Sequence, residues 1–392
     1  MYQPVCPPHC PFSGLAGQHR PQKNHEMMMK KLLILFAAAA MISCQDNTGY
    51  TVKVEMPDLA DSTLVIVQQL SGEVNNFDSV TLDGTGQGVM SGTVESPEMM
   101  YLGLKGQQMS AQLFMDNYNY TITGSLADPE IVANGGPQAD FKEYLESTTS
   151  LQEQQQATLD RFYASQGSGV GEDSINKILE QYYAVMAEKE LFDSAYMVQN
   201  PASVVSVFLL RGNYHSLEAD DLEARLEAFD ESVRDNRYYK RMYEHLETMK
   251  SVQIGQKYID LELPDTEGNM MNLSDVAEKG VLLIDFWAAW CNPCRRANPG
   301  IVEIYNEFKD KGFDIVGVSL DRSRDAWLQA IEDDGLTWHH MSDLNYWQSE
   351  AAKKYAVISI PHTVLLDADG TIIARNLSKD ELKEKLTELL GS

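Results

Sequence analysis

The sequence predicts three architectures in succession: an all-β sandwich or barrel over residues 50–134, an α-helical region over 135–250, and an α/β domain over 251–392. Three observations carry this reading. Short runs of alternating polarity recur roughly every ten residues in the first zone, the period of strands in a sandwich or barrel. Glu, Gln, Leu, Ala and Tyr then dominate with few turn signals, which predicts helices. In the last zone apolar runs alternate with helical periodicity, which predicts a mixed central sheet with flanking helices.

The segment ahead of these zones reads as an address. Lys30 and Lys31 precede an apolar run from Leu32 to Ile42, followed by Ser43 and Cys44. A basic start, an apolar stretch and a small residue before a cleavage point form a secretory signal. The run is too short to cross the ~30 Å hydrocarbon core of a bilayer as a helix. Met41-Ile42-Ser43-Cys44 resembles a bacterial lipobox, with Met41 where Leu is usual. That resemblance implies that Cys44 becomes the lipidated first residue, and several acyl chains give stable anchoring. Residues 1–26 are rich in Pro and His and read as a start-site artefact, with Met27, Met28 and Met29 as better starts. Residues 1–43 are therefore assigned to this extension and signal, and 44–49 to a linker.

In the β zone the expected strands are Thr51–Met56, Thr63–Gln69, Ser79–Leu82, Gly88–Val94, Met99–Leu104, Gln112–Met115 and Tyr118–Ile122. Turn residues such as Gly84-Thr85-Gly86 and Asp116-Asn117 separate them. No His, Cys or Arg occurs between Tyr50 and Ile131, so catalysis is not expected there. In the helical zone Phe141, Tyr144, Leu145 and Thr148 share one face, and Asn200-Pro201 is a break. Four or five helices are expected. The aromatic stripe Tyr182, Tyr183, Phe192 and Tyr196 is read as packing core, and the acidic run Glu218–Glu223 as a solvated helix start.

The last zone contains two buried strands, Val281–Phe286 and Phe313–Ser319. Thr363–Asp367 and Thr371–Ala374 flank Asp369-Gly370, a hairpin signal. Ser378 with Glu381 forms a capping box that opens the last helix. Between the first strand and the following helix stands Trp290-Cys291-Asn292-Pro293-Cys294. A Cys-x-x-Cys at a helix start is a redox dithiol in physical terms, because free N–H groups and the positive dipole end stabilise a thiolate. Two intervening residues place the second sulfur where it can attack a mixed disulfide. A zinc site is the alternative, with His339 and His340 as further ligands, but structural zinc usually wants four Cys or His. One acid, Asp285, interrupts the buried strand, where burial should raise its pKa.

Phe286 to Cys294 resembles the active-site segment of the thioredoxin superfamily, and residues 255–392 are similar to TlpA/ResA-like thiol-disulfide oxidoreductases. Tyr258–Leu263, Gly317–Asp321, Ile360-Pro361-His362-Thr363 and Leu366–Gly370 extend the match. The resemblance implies a thioredoxin-like fold with Cys291 as nucleophile and Cys294 as resolving thiol. It also implies that Pro361 is a cis-proline, that Ile360 is a docking edge for substrate, and that Trp290 is a flat apolar rim. Asp285 matches the acid that shuttles a proton to or from the resolving cysteine. Pro299 matches a helix-kinking proline. Where ResA-like chains often carry Glu three residues after the second cysteine, this chain has Ala297. The β zone resembles a domain of unknown function that precedes thioredoxin-like domains in Bacteroidetes lipoproteins.

Composition excludes one class of partner and constrains the rest. With 31 Lys+Arg against 58 Asp+Glu the formal charge is −27, which argues against nucleic-acid binding. Five cysteines are too few for a disulfide scaffold: Cys6 and Cys10 fall in the extension, Cys44 goes to lipid, and Cys291 with Cys294 remains as the redox pair. No cofactor beyond that disulfide is expected. The leading expectation is a lipid-anchored, periplasm-facing oxidoreductase at the outer membrane, reducing disulfides of envelope proteins with electrons from an external thiol donor. Two alternatives stand beside it. One is an envelope binding module in which residues 50–250 do the work. The other is a peroxiredoxin-like peroxidase, although Ala288 stands where that chemistry wants a hydroxyl three residues before the cysteine.

Overall fold

In the computed structural model, residues 48–391 are described except 71–72, 108, 167–170 and 278. The signal run, Cys6, Cys10 and Cys44 lie outside the described residues. Eight strands open the fold: β1 (Tyr50–Glu55), β2 (Thr63–Leu70), β3 (Glu73–Thr81), β4 (Gln87–Gly92), β5 (Glu98–Leu104), β6 (Met109–Met115), β7 (Asn119–Ser125) and β8 (Asp128–Ala133). They form two four-stranded sheets ordered β4-β1-β7-β8 and β3-β2-β5-β6. Alternation decides which side chains turn inward, so Val52, Val54, Leu64, Ile66, Leu102, Leu113 and Ile122 share one core. Two expectations are corrected. β3 runs from Glu73 rather than Ser79, because Asn75 and Asn76 pair with β2 despite their turn-like chemistry. β8 follows Ile122 as an unpredicted edge strand; its Pro129 is tolerated there because an edge leaves one backbone side without a ladder partner. The pairing of β1 with β7 is parallel, so the sandwich is mixed.

Five α-helices follow: α1 (Gly136–Ser165), α2 (Glu172–Gln199), α3 (Val204–Arg211), α4 (Ala219–Glu227) and α5 (Arg237–Ser251). Phe141, Tyr144 and Thr148 are buried as their spacing predicts. The stripe on α2 is not core throughout: Phe192 and Tyr196 pack partly against it, but Tyr183 is 52% exposed and α2 has no fully buried residue. α2 packs chiefly along α1 and reaches the helical core through Phe192, Tyr196 and Met197, so the rest of its all-round apolar pattern stays in solvent. Helices and sandwich are tied at the start of β5. There the buried Glu98 meets Gln68 and Arg237, Met99 N donates to Tyr238 Oη (2.8 Å), and Asn236 Nδ2 donates to Pro97 O (2.8 Å).

The third region is a five-stranded sheet ordered β13-β12-β11-β14-β15, with β11 (Val281–Trp287), β12 (Phe313–Ser319), β13 (His339–Met341), β14 (His362–Leu366) and β15 (Ile372–Arg375). β12 and β13 run parallel to β11, and β14 and β15 antiparallel to their neighbours. A small hairpin, β9 (Glu262–Pro264) with β10 (Met270–Asn272), precedes it; the matched stretch Tyr258–Leu263, where the resemblance implies an entry strand, is strand only from Glu262 on. The helices are α6 (Ser274–Ala277), α7 (Asn292–Phe308), α8 (Arg324–Asp334), α9 (Glu350–Lys354) and α10 (Lys379–Leu390). Every residue of β11 is buried, as expected of a central strand covered on both faces. Gly370 takes φ +80° in the β14–β15 turn, and Ser378 with Glu381 makes both capping-box bonds. The result is a thioredoxin-like domain behind a β-rich region and a helical middle region.

Candidate functional site

β11 ends one turn before α7, and the connection carries the dithiol. Cys291 is the N-cap of α7, its Sγ accepting a hydrogen bond from Cys294 N at 3.2 Å. Pro293 lies in the first turn, where a missing N–H leaves no bond unmade. Cys291 and Cys294 are joined by a disulfide, with Cα atoms 5.3 Å apart. Both cysteines are buried, Cys291 at 4% and Cys294 at 1% exposure. Pro299 lies inside α7.

The approach to α7 is held from below and from the side. Ala289 N donates to Asp321 Oδ2 at 3.0 Å, and Ser319 Oγ donates to the same oxygen at 2.8 Å. Burial raises the Asp321 carboxyl above its ordinary range. One turn into α7, Arg295 pairs with Asp334 (Nη2–Oδ1 2.9 Å), and Asn298 Nδ2 donates to Asp334 at 2.6 Å. These contacts immobilise the first turn, where displacement of a sulfur would be most costly to reaction geometry.

Pro361 follows Ile360 through a cis peptide bond, and Ile360 O lies 3.7 Å from Cys291 Sγ. The structure thus brings Ile360, Pro361, Cys291 and Cys294 together although some 70 residues separate them. Trp290 is 44% exposed beside Cys291, with its Nε1 donating to Leu320 O at 3.3 Å. Its indole meets Tyr346 (centroids 5.0 Å) and Trp347 (6.0 Å), and the Arg322 guanidinium sits 4.2 Å from the Tyr346 ring centre. Leu344 and Tyr346 take φ of +55° and +56°, a conformation costly for residues other than glycine, and so present this aromatic patch.

Asp285 lies in the middle of β11, opposite Thr363 on β14 and Gly317 on β12. It is 6% exposed, and burial pushes its carboxyl up to about 7. It lines a cavity of about 430 Å³ together with Cys294, Pro361 and Thr363. The buried acid and the inner sulfur therefore face one shared space, the arrangement a proton transfer needs. No group of three or more His, Cys, Asp or Glu among the described residues is placed to hold a metal ion.

Asp321, Asp334, Tyr346, Trp347 and Arg375 were not singled out from sequence. Asp321 alone carries a signal, an acid two residues after the end of a buried apolar strand. Arg375 donates to Val252 O (3.0 Å) and Tyr355 O (3.1 Å), and its Nη2 lies 3.0 Å from His362 Nε2. It ties the loop before Pro361 to the end of α5.

Residues 254–375 match the AhpC/TSA family, and residues 50–141 match a domain of unknown function, DUF4369. The thiol-disulfide oxidoreductase ResA of Bacillus thuringiensis subsp. konkukian is 31% identical over 141 residues, 36% of this chain and 79% of that protein. ResA of Geobacillus thermodenitrificans is 31% identical over 142 residues, with the same coverage of 36% and 79%. A solved thiol-disulfide oxidoreductase from Bacteroides fragilis is 36% identical, covers 34% of this chain and 100% of its own, and superposes with a TM-score of 0.33. The chain belongs to the ResA-like thiol-disulfide oxidoreductases of the thioredoxin superfamily.

Proposed function

We propose that this oxidoreductase reduces disulfides of extracytoplasmic proteins while anchored to a membrane through Cys44. The observation that carries the reading is the Cys291–Cys294 disulfide at the start of α7, with Asp285 behind Cys294 in a shared cavity. In the reduced enzyme the helix N-terminus favours the Cys291 thiolate. That thiolate attacks one sulfur of a client disulfide, forming a Cys291–client bond and releasing the other client sulfur as a thiolate. Asp285 takes the proton of Cys294, whose thiolate then attacks Cys291 Sγ. The second client thiol leaves, Cys291–Cys294 forms, and two electrons have passed to the client. An external thiol donor returns them.

Ile360 and Pro361 present the backbone edge against which the client lies, and Trp290 presents an apolar rim. The test is a Cys294→Ser variant, which removes the second attack and leaves the first. Clients are expected to accumulate as mixed disulfides on Cys291, seen as higher-mass species that dithiothreitol dissolves. No such adduct with any envelope protein would sink the proposal. The basic pair, apolar run and Cys44 support export and lipid anchoring. Cys44→Ala is expected to move the protein from the membrane to the soluble fraction, and unchanged fractionation would refute the anchor.

A further inference from the structure

A second cavity, of about 720 Å³, opens between the loop before Pro361 and the helical region. One wall is Ile358, Ser359 and His362; the other is His215, Glu218 and Asp220. The two walls are held at a set spacing. Arg375 bonds Val252 O at the end of α5 and Tyr355 O ahead of the loop, and Gly255 N donates to Ile372 O at 2.8 Å.

We propose that the helical region forms the second wall of the client groove, and that Glu218 and Asp220 select clients carrying Lys or Arg beside the reactive disulfide. This inference rests on the oxidoreductase reading above. A client sulfur bonded to Cys291 must lie against Ile360, whose carbonyl is 3.7 Å from Cys291 Sγ. Ser359 and Ile358, both exposed, are the next residues along that edge, and they line the cavity. An extended chain advances about 3.3 Å per residue, so client residues two or three from its cysteine enter the space facing α4.

The charge of the groove favours a basic client. Glu218 and Asp220 are exposed at the start of α4, and among the described residues neither is in an ion pair. Among the described residues Arg375 is the one Lys or Arg in the lining; its guanidinium is held by two carbonyls and the His362 ring and its charge is felt by Glu218, which leaves the two carboxylates one negative charge in excess. Burial holds His362 down to about 4, and partial burial with the nearby His245, Arg241 and Arg211 does the same for His215, so neither ring adds positive charge at physiological pH. The whole chain adds to the preference with its formal charge of −27.

The test uses the reduced full-length protein, two peptide disulfides that differ only in Lys or Glu beside the cystine, and the small disulfide DTNB. The Lys peptide is expected to be reduced about fivefold faster or more, and the ratio should shrink as salt rises. A Glu218→Lys/Asp220→Lys variant is expected to invert the ratio, and the milder Glu218→Gln/Asp220→Asn to bring it near one. A wild-type ratio within twofold, or a ratio unchanged in folded variants, overturns the groove. Failure to reduce DTNB and both peptides alike would instead overturn the oxidoreductase reading.

Discussion

Cys291→Ser is expected to lower disulfide reduction by at least about a thousandfold, because a hydroxyl can neither form nor exchange a disulfide. The reason lies in the asymmetry of the pair. Cys291 is the N-cap of α7 and borders the Ile360 edge, whereas Cys294 is 1% exposed and lines a cavity with Asp285. The first attack is therefore expected at Cys291 and not at Cys294. Steady-state reduction of DTNB or insulin with an excess of a small thiol donor measures the loss. A drop of less than tenfold would mean that Cys294 or another nucleophile carries the first attack.

Asp285→Asn is expected to slow release of the mixed disulfide by about a hundredfold at pH 8 and much less at pH 6, the range typical of losing a general base. The pH dependence follows from the raised pKa. Only the ionised carboxylate accepts a proton, so the advantage of wild type over the variant grows as pH rises through about 7. Stability should move the other way. The folded protein keeps the Asp285 proton up to about 7, while an unfolded chain loses it near the ordinary value of 3.8. Between these values the native state binds more protons, so stability falls as pH rises from about 4 to 7 and stays low above. A shift of this size corresponds to something on the order of 4 kcal/mol, a dependence the Asn variant should lack. Denaturant titrations of both proteins across this pH range test it. Parallel stability curves would show that Asp285 ionises normally, and its role as base would fall with that result.

Much of the site was legible because it is local in sequence. Cys291, Pro293 and Cys294 share one helical turn, and that turn's chemistry follows from backbone geometry alone. Asp285 stood out because a single acid within an apolar run must be buried or misplaced, and the structure buries it. The wider resemblance supplied Ile360 and Pro361, which no local pattern ties to the cysteines. The errors have equally local causes. Tyr183 has helical spacing but lies on an arm with too few neighbours to bury it. The start of β3 was missed because Asn75 and Asn76 look like turn residues, and only pairing along β2 makes them strand.

The sequence by itself determined the order of the three regions, the place of the Cys-x-x-Cys pair at a helix start and the burial of Asp285. Each depends on periodicity, capping or hydrophobic cost over a few neighbouring residues, and those travel with the chain. Only the tertiary structure decided what surrounds the reactive sulfur. The sheet order brings Ile360 to Cys291, and strained Leu344 and Tyr346 set aromatic rings beside Trp290. Arg375 joins the helical region to the loop at Pro361 across 123 residues. Such contacts pair residues whose separate sequence environments carry no mark of one another, so they exist only once the chain has closed its loops.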